Sequence, residues 1–140
     1  YAAAQPWYER AVAAAERGDV HGRINHAILG KSLQGVGVCL SSMGDYAAAR
    51  SWYERAAAAA ERGDVHGRID HASLGSSLHG VGVCLSSVGD HVAARTWYER
   101  ALAAKERGDV HGRIDHASLA NTRRALEVNA LGLPVSIRPR

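Results

Sequence analysis

The tetrapeptide Trp7-Tyr8-Glu9-Arg10 returns as Trp52-Tyr53-Glu54-Arg55 and again as Trp97-Tyr98-Glu99-Arg100, a period of 45 residues in a chain of 140. Residues 1–45 and 46–90 are identical at 37 of 45 positions, and Gly18-Asp19-Val20-His21-Gly22-Arg23-Ile24 recurs unchanged at 63–69 and 108–114. Units this short do not enclose a core singly, so the period predicts a linear array in which each unit buries its apolar face on the next. Such an array offers partners a long surface.

Within one period, Leu74, Leu78, Val81, Leu85 and Val88 follow one another in steps of three and four, one stripe of a helix. Asp70 can cap that helix and Gly89 can close it in the left-handed conformation. Asp90 then caps a second helix whose inner face collects Ala94, Trp97, Tyr98, Ala101 and Leu102 and which ends near Arg107-Gly108. The fixed heptapeptide follows as a loop, and Asn25, Asp70 or Asp115 begins the next first-type helix. The expected fold is all-α, an α-solenoid of stacked antiparallel helix pairs with six helices. Its parts are a partial repeat at 1–17, repeats at 25–62 and 70–107, a capping helix at 115–131 and an extended tail at 132–140.

Leu78-x-x-Val81-Gly82-x-x-Leu85, Gly89-Asp90 and Ala94-x-x-x-Tyr98-x-x-Ala101-Leu102 together resemble the tetratricopeptide repeat, and the same frame fits Leu33, Val36-Gly37, Leu40, Gly44-Asp45, Ala49, Tyr53 and Ala56. In this frame Gly37 and Gly82 let paired helices approach, and Tyr53 and Tyr98 fill the gap to the next unit. The unit is 45 residues rather than the family's usual 34. The added residues lie before Asp70-His71-Ala72, which is similar to the junction of the longer, kinesin-light-chain type. The resemblance implies a right-handed superhelix and a non-catalytic role in binding proteins.

The last first-type helix departs from the pattern. Arg123 stands where Leu33 and Leu78 stand, and Glu127 where Gly37 and Gly82 stand. Terminal units of solenoids carry a polar outer face, so 121–130 reads as a cap. At the other end Trp7, Tyr8 and Ala11 belong to a second-type helix without its partner, a face expected to be covered by upstream repeats or by another chain, self-association included.

The 17 basic and 14 acidic residues leave a formal +3, partly in Arg123, Arg124, Arg138 and Arg140, while Glu-Arg and Asp-Arg neighbours cancel within the units. This argues against a nucleic-acid surface. No apolar run approaches the roughly 20 residues that span a bilayer, and no signal-peptide pattern is present. Cys39 and Cys84 occupy one repeat position and read as small buried thiols in a reducing compartment, a cytoplasmic setting. Richness in Ala and Gly, with 15 Arg against two Lys, fits a bacterial coding sequence.

The pairs His21/His26, His66/His71 and His111/His116 could offer metal ligands, His66 and His71 foremost, but a junction that ties loop to helix accounts for them without zinc. Gly-Asp-Val-His-Gly precedes a helix as a phosphate loop does, yet lacks the Gly-x-x-x-x-Gly-Lys-Ser/Thr pattern. No nucleophile sits beside a base, so no enzyme and no cofactor is expected.

Differences between copies carry the functional signal. In the resembled family the first-type helices line a concave groove, and positions flanking the first large apolar residue face the ligand. These are Lys31 and Gln34, Ser76 and His79, Asn121 and Arg124, and all three copies differ at both. Val38, Val83, Ser41-Ser42 and Ser86-Ser87 continue this surface, and Ile28, Ser73 and Ser118 extend it by one turn; drift at exposed positions is the competing account. The expectation is a groove that binds a peptide or protein segment. Lys31, Gln34, His79, Asn121 and Arg124 are its leading contacts, and Lys31, His79 and Arg124 favour an acidic or carboxylate ligand. Two alternatives stay open: a regulatory or self-assembling array in a larger bacterial signalling protein, and a metal-ordered array of His loops.

Overall fold

The computed structural model describes residues 3–138; Tyr1 and Ala2 of the first partial repeat and Pro139 and Arg140 of the tail lie outside the described residues. Six α-helices follow one another: α1 (Gln5–Arg17), α2 (His26–Ser42), α3 (Tyr46–Arg62), α4 (His71–Ser87), α5 (His91–Arg107) and α6 (His116–Ala130). The expected all-α solenoid is the fold found.

Capping sets the boundaries. Asp45, Asp90, Asp70 and Asp115 each accept one backbone N–H of the first turn at 3.0–3.2 Å, and Asn25 accepts two. The connection from a second-type to a first-type helix is closed on itself. In all three copies the aspartate (Asp19, Asp64, Asp109) accepts the backbone N–H groups of the following His at 2.8 Å and of the Arg at 3.0 Å, and its other oxygen holds the Arg Nε at 2.8–3.2 Å. These backbone donors hold the three carboxyls below the usual carboxylate range. The preceding glycine is at φ +77° to +81°, and a Cβ there would lie 2.5–2.7 Å from the Arg carbonyl oxygen. The heptapeptide therefore recurs unchanged because it is a locked turn, and its N–H groups are spent on its own carboxylate rather than on an external phosphate.

Each helix packs on its neighbours along the chain, and in addition α2 touches α4 and α4 touches α6. The first-type helices thus form the close inner row. The second-type helices α1, α3 and α5 meet only through long side chains, Arg55 with Glu16 and Arg100 with Glu61, each at 3.6 Å. Two apolar clusters fill the array: one includes Val12, Leu33, Val36, Tyr53, Val81, Cys84 and Tyr98, the other Ala57, Ala60, Leu74, Leu78, Ala101 and Ala104.

Two sets of glycines make this spacing possible. Gly30 and Gly75 are the close approaches within a pair: a Cβ there would lie 3.2 and 3.1 Å from the carbonyls of Ala56 and Ala101. The tyrosines take the second set. Tyr53 lies between Gly37 of its own unit, where a Cβ would be 3.1 Å from the ring, and Gly80 of the next, where it would be 2.5 Å. Tyr98 lies against Gly82 in the same way, at 2.8 Å, and Tyr8 against Gly35.

Three expectations are corrected. Val88 is 64 % exposed, because α4 ends at Ser87 and the stripe ends with it at Leu85. The tryptophans are core only in part: Trp52 and Trp97 pack against the core's edge, half-buried beneath Arg55 and Arg100, each guanidinium 4.6 Å from the ring centroid, and Trp7 is exposed. Over residues 132–138 the tail is not extended. Leu133 is buried, Val135–Ile137 form a 3-10 turn, Arg138 donates to the carbonyls of Leu131 and Leu133, and Arg95 donates to that of Ile137.

Gly80→Ala is expected to cost about 1–3 kcal/mol by overpacking, although alanine is the better helix former by roughly 1 kcal/mol. Thermal melts of the single variant and of the same change in a Tyr53→Ala background measure this, and the cost should vanish once the ring is gone.

Candidate functional site on the inner helix row

The inner row places all eight sequence-predicted positions on α2, α4 and α6 and sorts them by what they already bind. Gln34 and His79 occupy the same repeat position, and each is tied to the next unit. Ser77 Oγ donates to Gln34 Oε1 at 3.4 Å, and His79 Nδ1 lies 3.0 Å from Thr122 Oγ1. These are two rungs of one ladder, since Ser77 and Thr122 are also repeat equivalents, 1 % and 0 % exposed.

His79 is consequently a packing residue. Its ring meets Tyr98 edge-on with centroids 5.3 Å apart. Burial, aided by the Lys105 charge, pushes its pKa down to about 4. It is neutral near pH 7, which removes it from the cations expected to attract an acidic ligand.

The remaining positions are freer. Lys31, Asn121 and Arg124 are exposed, Val38 is 37 % exposed, and Ser76 and Val83 are half-buried, with the Ser76 hydroxyl spent on the Ala72 carbonyl at 3.2 Å. Neither Lys31 nor Arg124 forms an ion pair among the described residues. Asn121 and Arg124 converge with His79, Ser86, Tyr98 and Val128 around an open depression of about 380 Å³ between α4 and α6. Lys31 and Gln34 border a narrow crevice with Ser73 and Ser77 between α2 and α4. Ser76, Val38 and Val83 line neither.

Acids are few on this row, although Asp70, the α4 cap, shares the crevice with Lys31. α2 and α4 contain no acidic residue, and the one acid of α6, Glu127, borders a different pocket, formed with α5 and the tail. That pocket, of about 510 Å³, has Leu126, Ala130 and Leu133 in its wall.

The sequence reading missed how α6 is held. Asn129, at the repeat position of Cys39 and Cys84, is buried and exchanges contacts with His91: Nδ2 donates to the His91 carbonyl at 2.8 Å, and Oδ1 lies 2.8 Å from His91 Nδ1. Lys105, at the position of Ala15 and Ala60, is 5 % exposed and donates to the Ser118 carbonyl at 3.1 Å. The signal was present as paired departures from the repeat, Tyr46 to His91 together with Cys84 to Asn129.

No metal centre is assembled at the His pairs. His66 is exposed and His71 half-buried, and among the described residues no three His, Cys, Asp or Glu side chains come together as ligands. Cys39 and Cys84 are free and buried, and burial pushes the Cys84 thiol up to about 11, which suppresses the reactive thiolate.

Because folded His79 holds its proton less tightly than an unfolded histidine, acid favours the unfolded state. The stability it contributes is present above pH 6.5 and lost as pH falls towards about 4. His79→Gln keeps the rung in the form Gln34 already uses, so melting temperature against pH should flatten over this window in the variant. A smaller slope should remain from His26 and His71, whose pKa values burial also lowers.

Residues 31–63 match the family model of the tetratricopeptide repeat. No curated protein matches the chain.

Proposed function

We propose that the chain is a protein-binding module of the tetratricopeptide type matched at residues 31–63, and that its inner helix row binds a peptide or protein segment through an acidic side chain or a free C-terminal carboxylate. The observation that carries this reading is the charge pattern of the row. Its exposed cations, Lys31 and Arg124, form no ion pair among the described residues, α2 and α4 contain no acidic residue, and the cap Asp70 beside Lys31 is engaged by Ser73. A carboxylate reaching either would make a charge-assisted hydrogen bond without first breaking an internal one.

Asn121 would add an amide beside Arg124, while Val38 and Val83 give the segment an apolar strip. Gln34 and His79 serve the scaffold in this reading and shape the groove floor. The role is non-catalytic and needs no cofactor. No helix of the described residues is long and apolar enough to cross a membrane. Buried free thiols fit a reducing, cytoplasmic setting.

The test is binding to an array of peptides, each synthesised with a free and with an amidated C-terminus. A hydrogen bond to a charged group contributes about 1.5–3 kcal/mol, so Lys31→Ala or Arg124→Ala should weaken a retained peptide about tenfold or more. His79→Gln should leave it nearly unchanged. Binding indifferent to both cations would overturn the reading.

A further inference from the structure

The second-type helices share one face, and two of the three have it covered. Tyr53 and Tyr98 are 6 % and 4 % exposed, whereas Tyr8 is 38 % exposed and Trp7 68 %. Tyr8 meets Gly35 on one side only, the side of the following unit. Arg55 and Arg100 lie over Trp52 and Trp97 and reach Glu16 and Glu61 of the preceding outer helix. Arg10, their repeat equivalent, has no ion-pair partner among the described residues.

We propose that the α1 face of Trp7, Tyr8 and Arg10 docks a further helix pair of this same repeat type, one that presents a glycine to Tyr8 and a glutamate to Arg10, and that a second copy of this chain is barred from the site. The array itself is the template for the occupant. What covers Tyr53 is a first-type helix with Gly37 beneath the ring, and what neutralises Arg55 is a glutamate on the neighbouring second-type helix.

A second copy could offer only its α5–α6 end, where α6 lacks a second-type partner. The residue there that corresponds to Gly37 and Gly82 is Glu127. A bare Cβ at Gly82 would already lie 2.8 Å from the Tyr98 ring, so a glutamate side chain takes the space an incoming Tyr8 needs. The glutamate that Arg10 requires would be Glu106, the repeat equivalent of Glu16 and Glu61, and Arg123 already reaches it at 3.9 Å. Both halves of the complement, space and charge, are consumed within the chain.

Restoring them supplies the test. In an Arg123→Leu/Glu127→Gly variant, α6 of one molecule regains the surface that Tyr8 of another can enter. Sedimentation velocity over a wide concentration range should show the unaltered protein as a monomer throughout and the double variant as species that grow with concentration. Adding Trp7→Ala should return the variant to monomer. Circular dichroism verifies helicity; if Glu127→Gly lowers it, Glu127→Ala with Arg123→Leu is read the same way. Self-association of the unaltered protein would show that a second copy fits. A folded double variant that stays monomeric, or one whose association ignores Trp7→Ala, would overturn the docking surface. None of these results depends on the inner row or its ligand.

Discussion

A tyrosine ring held between glycines is the contact on which the array depends. Tyr53 leaves an outer helix and enters a slot whose two walls, Gly37 and Gly80, belong to successive units. One side chain therefore sets the spacing within a pair and between pairs at once. Burying an aromatic of this size removes on the order of 150–250 Å² from water, and the ring joins two units that also share the Gln34–Ser77 bond and the Arg100–Glu61 pair. Any side chain on the slot walls moves the helices apart, so α2 and α4 carry glycine at both positions.

The inner row inherits its geometry from that slot. Where α2 meets α4 and α4 meets α6, side chains of successive units come within hydrogen-bond reach, and Gln34 to Ser77 and His79 to Thr122 become rungs. A position that varies between copies is thus not automatically free to meet a ligand. Gln34 and His79 differ while doing the same structural task, one amide and one imidazole each satisfying a buried hydroxyl. Lys31 and Arg124 differ from their equivalents without such a task, which is why they carry the binding proposal.

Much of the fold was legible because the chain states it three times. Helix boundaries followed from Asn25, Asp45, Asp70, Asp90 and Asp115, and the connecting loop from a heptapeptide repeated without change. What was not legible lay where a residue's environment is set by another unit. His79 reads from sequence as a groove cation; only the proximity of Thr122 and Tyr98 shows it as a neutral packing group. Tryptophan spacing suggested core, yet the indoles of Trp52 and Trp97 reach only its edge, with one face against the apolar cluster and an arginine over the ring. The tail carried no periodicity, so its turn and its buried Leu133 could not be read without α5 and α6 in place.

The two edges of the array are joined by materials of different stiffness. Along the inner edge successive units are tied by buried rungs and apolar packing, while along the outer edge they are bridged by half-exposed Arg–Glu pairs stacked on indoles. Each of these bridges is worth about 1 kcal/mol or less, and dissolved ions weaken it further. The molecule is in effect a strip with an apolar seam and a charged lacing, and of the two only the lacing answers to ionic strength.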